Sequence, residues 1–353
     1  MGAYPTAMLR DICDTVEYGY TASSSAECIG PRFLRITDIV PDSLDWESVP
    51  FCEIDPKKFA KHRLRTGDIV IARTGATTGW AKYIDSPPEA VFASYLVRVQ
   101  PAATVDARYV GFVVESPVYK EFVQRHMGGA AQPNANAQVL TSFEVPLPPL
   151  PVQQRIAGIL SAYDELIENS QRRIKILEAM ARALHREWFV HFRFPGHEHH
   201  PRVASPLGEI PQGWEVKKLK DVCRLTMGQS PKSEFYNELG DGIAFHQGVT
   251  DFGDRFPSDR LFCTADGRIA ETGDILFSVR APVGRMNIAN KKIILGRGLS
   301  AIRHSHRHQA FLWEQLRNRF TKDDMMGNGA IFASVTKDDM QGIELACPPD
   351  ITG

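Results

Sequence analysis

The sequence predicts an α+β fold in which two duplicated, mixed α/β domains are joined by a long coiled-coil helix. Three observations carry that expectation. The phrase TGDIVIARTGATTG at Thr66–Gly79 returns as TGDILFSVRAPVG at Thr272–Gly284. Both halves of the chain alternate short apolar, β-branched runs with segments of helical periodicity. Between the halves, one unbroken series of apolar positions steps by four and three residues.

The repeat extends well beyond that phrase. LRDIC at Leu9–Cys13 answers to LKDVC at Leu219–Cys223, MGGA at Met127 to MGNGA at Met326, and VPLPP at Val145 to ELACPP at Glu344. Order is kept while spacing drifts, the pattern of duplicated domains with altered loops. In each copy, runs such as DIVIA, YLVRV, DILFSV and KIILG are bounded by Gly, Pro and Asp and read as short strands. ARYVGFVVESPVYKEFVQRH and HQAFLWEQLRNRF read as amphipathic helices. Within TGD, Gly67 and Gly273 supply permissive backbone for a turn that opens a strand.

The middle of the chain carries Ile156, Leu160, Tyr163, Ile167, Ser170, Ile174, Leu177, Ala181, Leu184 and Trp188 in heptad register, a coiled-coil seam. Pro148, Pro149 and Pro151 mark its start and Pro195-Gly196 its end. About 40 residues at 1.5 Å each predict a rod of roughly 60 Å. The expected division is a first domain over 1–150, the helix over 151–194, a linker over 195–212 and a second domain over 213–353.

Bulk properties fit this division and narrow the function. A chain of 353 residues with 43% hydrophobic content can bury two ordinary cores. No apolar run approaches the roughly 18 residues of a membrane helix, and the N-terminus lacks a basic start and a long apolar segment, so a soluble, cytoplasmic chain is expected. A net charge of -1 argues neither for nor against nucleic acid, because a neutral total can hide a basic face. The six cysteines form no C-x-x-C pair and are expected to be buried thiols. The histidine clusters His197, His199, His200 and His304, His306, His308 lack the H-E-x-x-H pattern, so no metal site is expected. The chain also lacks an N-P-P-[FY] adenine-methylation motif, a G-x-x-x-x-G-K-[ST] phosphate loop and a glycine-rich methyl-donor motif, which argues against catalysis. Two related domains on a rigid helix suit two separated readings of a long object, and DNA is such an object. An enzyme of unknown type on duplicated domains, or a coiled-coil adaptor without nucleic-acid affinity, are the alternatives.

FLRITDIV, LRTGDIVIARTGATTG, VFASYLVRV, GGAAQPNANAQ and VPLPPLPVQQRIAGILSAYDELIE resemble the first target-recognition domain and central conserved helix of Type I restriction-modification specificity subunits. LGEIPQGWEVKKLKDV, MGQSPKSEFYNELGDGIAF, TGDILFSVRAPVGRMNIA and GRGLSAI resemble a second such domain. The resemblance implies a non-catalytic DNA-binding subunit in which each repeat reads one half of a split, asymmetric DNA target. It implies that the helix sets the spacing and docks methyltransferase subunits, and that restriction/translocase subunits join them. S-adenosylmethionine, ATP and magnesium would then be bound by those partners, with no cofactor in this chain. Such subunits normally carry a second conserved helix after the second domain. Here Pro348-Pro349 leads to no comparable segment, so that distal helix is expected to be missing.

Chemistry suggests which side chains read DNA. Arg73 offers a guanidinium for guanine or phosphate, Thr74, Thr77 and Thr78 offer hydroxyls, and Gln132, Asn134 and Asn136 offer amides that suit adenine edges. The second copy is expected to use Gln229, Ser230, Lys232, His246, Gln247, Arg280 and Arg285. Self-association or partner docking is expected along the seam formed by Ile156, Leu160, Tyr163, Ile167, Ile174, Leu177, Leu184 and Trp188.

Overall fold

A computed structural model describes residues 4–40, 44–127, 134–324 and 334–349, with backbone alone for 321–324. The chain divides into two units, Met1–Ile174 and Lys175–Gly353.

In the first unit the strands are β1 (Cys13–Tyr18), β2 (Arg32–Leu34), β3 (Ile69–Ala72), β4 (Ala81–Tyr83), β5 (Ala90–Phe92) and β6 (Leu96–Pro101). β1, β6, β3 and β4 form an antiparallel sheet in that order, with Ile69 opposite Val99, and β2 pairs in parallel with β5. IVIA of β3 is buried at every position because both faces of the sheet are covered. Ile69 and Ile71 point to one face, where they meet Tyr109, Val110, Val114, Tyr119 and Val123. Val70 and Ala72 point to the other, against Leu34, Ile39, Val49, Leu64 and Phe92.

The helices begin where capping chemistry allows. α1 (Pro56–His62) starts after Asp55, whose carboxylate accepts the Lys57 N–H. α2 (Ala107–Glu115) starts after Asp106, and α3 (Pro117–His126) starts at Ser116 with proline in its first turn. Thr6–Met8 and Glu144–Pro146 pair to tie the two ends of the copy together. α4 (Leu150–His185) then begins, and its Gln153, Ala157 and Ser161, four residues apart, are buried on this unit. Gln153 fixes the start by accepting the Asp106 N–H at 3.0 Å and donating to the Pro148 carbonyl at 2.8 Å.

The second unit repeats the plan with β7 (Cys223–Met227), β8 (Ile243–His246), β9 (Ile275–Ser278), β10 (Met286–Ile288), β11 (Ile293–Leu295), β12 (Leu299–His304) and α5 (Gln309–Asp324). β7, β12, β9 and β10 are antiparallel in that order, with Ile275 opposite Ile302. Ile275 and Phe277 of β9 face Leu312 and Leu316, while Leu276 faces Ile293, Leu295 and Leu299 on the other side. Glu215–Lys218 pairs with Glu344–Cys347 and closes this copy as the first is closed.

TGD proves to be more than a turn. Gly67 and Gly273 adopt φ of +97° and +87°, as a left-handed turn demands. The aspartate that follows is buried in both copies. Asp68 accepts the Arg65 N–H at 2.9 Å, and Asp274 the Glu271 N–H at 2.8 Å, so each carboxylate locks its own turn. Each also reaches the neighbouring strand. Asp68 takes Gln100 Nε2 at 2.8 Å and Arg98 at 3.4 Å, and Asp274 takes Arg303. Arg98 is itself buried, and its two terminal nitrogens donate to Glu17 and to the carbonyls of Arg63 and Lys61.

The α-helix ends at His185 and continues as one π-helical turn over Arg186–Val190, before Phe192 turns back at φ +58°. The cause is aromatic packing within the second unit. Phe189 sits edge-on to Phe311 at 4.9 Å and near Trp214 at 5.8 Å, and the wider turn brings His185 and Phe189 onto the same site. Trp188 therefore lies in the π turn rather than in the heptad seam. The expected linker holds a hairpin, Arg202–Ser205 with Gly208–Pro211. Cysteines 52, 223, 263 and 347 are buried as expected, but Cys28 is exposed.

Replacing Asp68 or Asp274 by alanine should destabilise its own unit by about 3 kcal/mol, because an arginine and a turn N–H lose a buried acceptor. Denaturant unfolding compared with the wild type checks this, and a change under 1 kcal/mol would refute the anchoring role.

Candidate nucleic-acid interface

The antiparallel register places the end of β1, the end of β3 and the start of β6 at one end of the first sheet. Backbone bonds weave the loops there together. Gly19 N–H donates to Leu96 O at 3.2 Å, Arg73 N–H to Tyr95 O at 3.0 Å, and Ala135 N–H to Arg73 O at 2.9 Å. The second copy makes the same three bonds, from Gly228 to Leu299 at 2.9 Å, Val279 to Gly298 at 3.0 Å and Val335 to Val279 at 2.9 Å. Only glycine fits the first crossing. A Cβ at Gly19 would collide with the Ala93 and Phe92 carbonyls, and one at Gly228 with those of Gly296 and Leu299.

On this common frame the first copy mounts a polar group. The Arg73 guanidinium stacks over the Tyr18 ring at 4.9 Å and its Nη2 lies 3.4 Å from Asn134 Oδ1. The Tyr18 hydroxyl in turn accepts the Ala137 N–H at 3.0 Å. Thr74 bridges to Asn134 through the backbone. Thr74 and Thr77 are half-buried in this loop. Two of the expected contacts also have structural duties. Thr78 is buried, its hydroxyl donating to Gly75 O at 2.7 Å, and Asn136 caps a short helix by accepting the Val139 N–H at 2.8 Å. Gln132 lies outside the described residues.

In the second copy the corresponding positions are Met227, Val279 and Ser334, and polarity moves to other loops. Ser230 Oγ donates to Gln247 Oε1 at 2.8 Å and accepts the Arg297 N–H at 3.1 Å. Gln229, Lys232, Gln247, Arg280, Arg285 and Arg297 are exposed. Lys232 lies 3.7 Å from Glu234. Arg280 stands at the place of Thr74, not of Arg73, since it is Val279 that makes the Arg73 backbone bonds. His246, expected at the DNA, has instead a fully buried side chain, 3.8 Å from Asp251 and 3.6 Å from Asp259. Burial holds its imidazole below the ordinary histidine range, against the pull of those two carboxylates. Its carbonyl supports the interface by accepting the Gly296 N–H at 2.8 Å.

Tyr18 and Arg297 escaped the sequence reading. Each stood beside a legible signal: Tyr18 precedes the glycine that matches Gly228, and Arg297 lies between the two glycines of GRGLSAI. Among the described residues, no three His, Cys, Asp or Glu side chains converge as a metal site.

The α4 seam is exposed. Tyr163, Ile167, Ile174 and Leu177 are each more than half accessible, and Leu160 and Leu184 are exposed too. Leu166 and Met180 widen the apolar stripe beyond the strict heptad. Ile156 alone packs partly against the first core.

Residues 32–179 and 211–352 match the family model of the Type I restriction modification DNA specificity domain. The chain belongs to that family. It is therefore a DNA-specificity subunit of a type I restriction-modification system, a recognition component rather than an enzyme. Among its relatives is the MjaX specificity subunit of a type I restriction enzyme from Methanocaldococcus jannaschii, 31% identical over 97% of this chain and 82% of the relative. The MjaIX specificity subunit of the same organism is 28% identical over 56% of this chain and 43% of its own length. The crystal structure of a type I restriction-modification S subunit from M. genitalium superposes with a TM-score of 0.62 at 13% identity, covering 98% of this chain and 85% of that one, and shows the same fold.

For a specificity subunit built this way, Arg73→Ala should relax selectivity at one base position in one half of the target. The expected loss is about 1–3 kcal/mol of discrimination, the worth of one bidentate base contact. Competition binding against single-base variants of the target checks it; uniform weakening for every sequence would assign Arg73 to phosphate instead.

Proposed function

We propose that each copy reads one half of a bipartite, asymmetric duplex through the loop end described above, in the cytoplasm. α4 sets the distance between the halves and docks methyltransferase subunits through its apolar stripe. Those subunits bind S-adenosylmethionine, and restriction subunits using ATP and magnesium complete the assembly. The carrying observation is that one backbone frame presents Tyr18, Arg73 and Asn134 in the first copy, whereas in the second, where Val279 is buried at the place of Arg73, the polar groups are Ser230, Gln247 and Arg297. The same frame with different chemistry suits two unlike half-sites.

Methylome sequencing of cells with and without this chain, its methyltransferase present in both, tests the reading. Loss of one bipartite modified motif is expected, and no change at any site would overturn it. Exchanging residues 8–145 with those of a relative should alter one half of that motif only. Deleting one heptad of α4 should bring the halves closer by about 10 Å, roughly three base pairs. An unaltered spacing would refute the ruler role.

The exposed stripe makes a further demand. About 25 cal/mol is lost for each Å² of apolar surface left in water, so a face this wide favours a covering helix. Ile167→Glu, Ile174→Glu and Leu177→Glu together should weaken assembly with the methyltransferase and abolish any self-association of the isolated chain. Sedimentation of the wild type as a soluble monomer would remove the self-association, and full assembly of the triple variant would remove the docking role.

A further inference from the structure

The first copy carries a cationic surface that neither the motifs nor the base-reading loops account for. KKFAKHRLR, over residues 57–65, places Lys57, Lys58, Lys61, Arg63 and Arg65 on and just after α1, and all five are exposed. Among the described residues none of the five is ion-paired with a carboxylate. The nearest acidic residue in sequence, Asp55, is spent on capping α1.

This surface adjoins the reading end. Lys58 Nζ lies 5.5 Å from the centre of the Tyr20 ring, and the His62 ring lies 5.9 Å from the same ring. Tyr20 is bonded through its N–H to Phe92 O, two residues beyond the Tyr18 that carries Arg73. α1 is held firmly in this position, since Arg98 donates to the carbonyls of Lys61 and Arg63. The second copy has no counterpart. In its matching connection, after β8, Arg260 is paired with Asp251 at 2.9 Å and Asp259 is paired with Lys291, and no run of adjacent cations like that of α1 occurs.

We propose that α1 and the residues just after it grip the phosphodiester backbone of duplex DNA beside the first half-site, so that the first copy supplies more of the sequence-independent affinity than the second. The inference rests on the DNA-reading function proposed above, but makes a separable demand. Unpaired, exposed cations flanking a reading edge release counterions when they meet phosphates, and each such contact adds about 0.9 to the slope of log affinity against log salt. Selectivity among sequences is untouched by these contacts.

The test is a salt titration of the full chain, assembled with its methyltransferase, on a labelled duplex of arbitrary sequence. The variant Lys57→Gln/Lys58→Gln/Lys61→Gln should lower the slope by about 2.7, so that doubling the salt costs the wild type roughly six-fold more affinity than it costs the variant. Lys57→Arg/Lys58→Arg/Lys61→Arg should keep the wild-type slope, which separates lost charge from lost structure. Lys218→Gln/Lys220→Gln, at the opposite end of the second sheet, should leave the slope unchanged. An unchanged slope in the triple Gln variant would overturn the proposal. So would impaired assembly with the methyltransferase at an unchanged slope, which would give these cations to an acidic protein surface instead. Because the duplex is arbitrary, absence of a bipartite motif would sink the specificity reading while this measurement still judges the patch.

Discussion

The buried aspartate of TGD is the constraint on which each copy is built. A carboxylate at such a site needs several donors, and it finds them in its own turn and on the next strand. Asp68 draws the Arg65 N–H, Gln100 and Arg98 together; Asp274 draws the Glu271 N–H and Arg303. These bonds fix the entry of β3 and β9 and thereby their register against β6 and β12. A one-residue slip would turn Ile69 and Ile71 away from the helices and bring Val70 toward them. The register in turn decides which residues emerge at the far end of the strand, where Arg73 and Val279 begin the variable loops.

That arrangement separates what is held constant from what changes. Strands covered on both faces tolerate little beyond apolar exchange, so IVIA and ILFS stay alike. The far loops are bonded to one another mainly through backbone groups, and backbone bonds do not depend on side-chain identity. Tyr18 can become Met227, and Arg73 can become Val279, without disturbing the frame. Gly19 and Gly228 are the exception, because carbonyl oxygens occupy the space a Cβ would need.

The helix follows a related logic. Its Gln153, Ala157 and Ser161 face the first core, while Glu178 meets Arg255 at 2.9 Å and His185 meets Phe311 at 6.1 Å in the second unit. The apolar stripe is left over from both attachments. Its width, from Leu160 through Leu166 to Met180, exceeds what the heptad pattern alone marks.

The sequence by itself determined the duplication, the strand and helix types, the long helix and the family, because periodicity and repeated phrases are local properties of a chain. It also marked Arg73, Asn134, Ser230 and Gln247, which lie in the loops the structure brings together. Tertiary structure alone decided which polar residues are spent inside. Thr78 and His246 read as contacts in one dimension, yet a turn carbonyl and a buried pocket claim them. Tyr18, Arg297 and the cations of α1 gain their place only when strands distant in sequence share an edge. The π turn that removes Trp188 from the seam arises likewise, from Phe311 and Trp214. Exposure and partnership depend on the neighbours that folding supplies, and a linear pattern does not contain those neighbours.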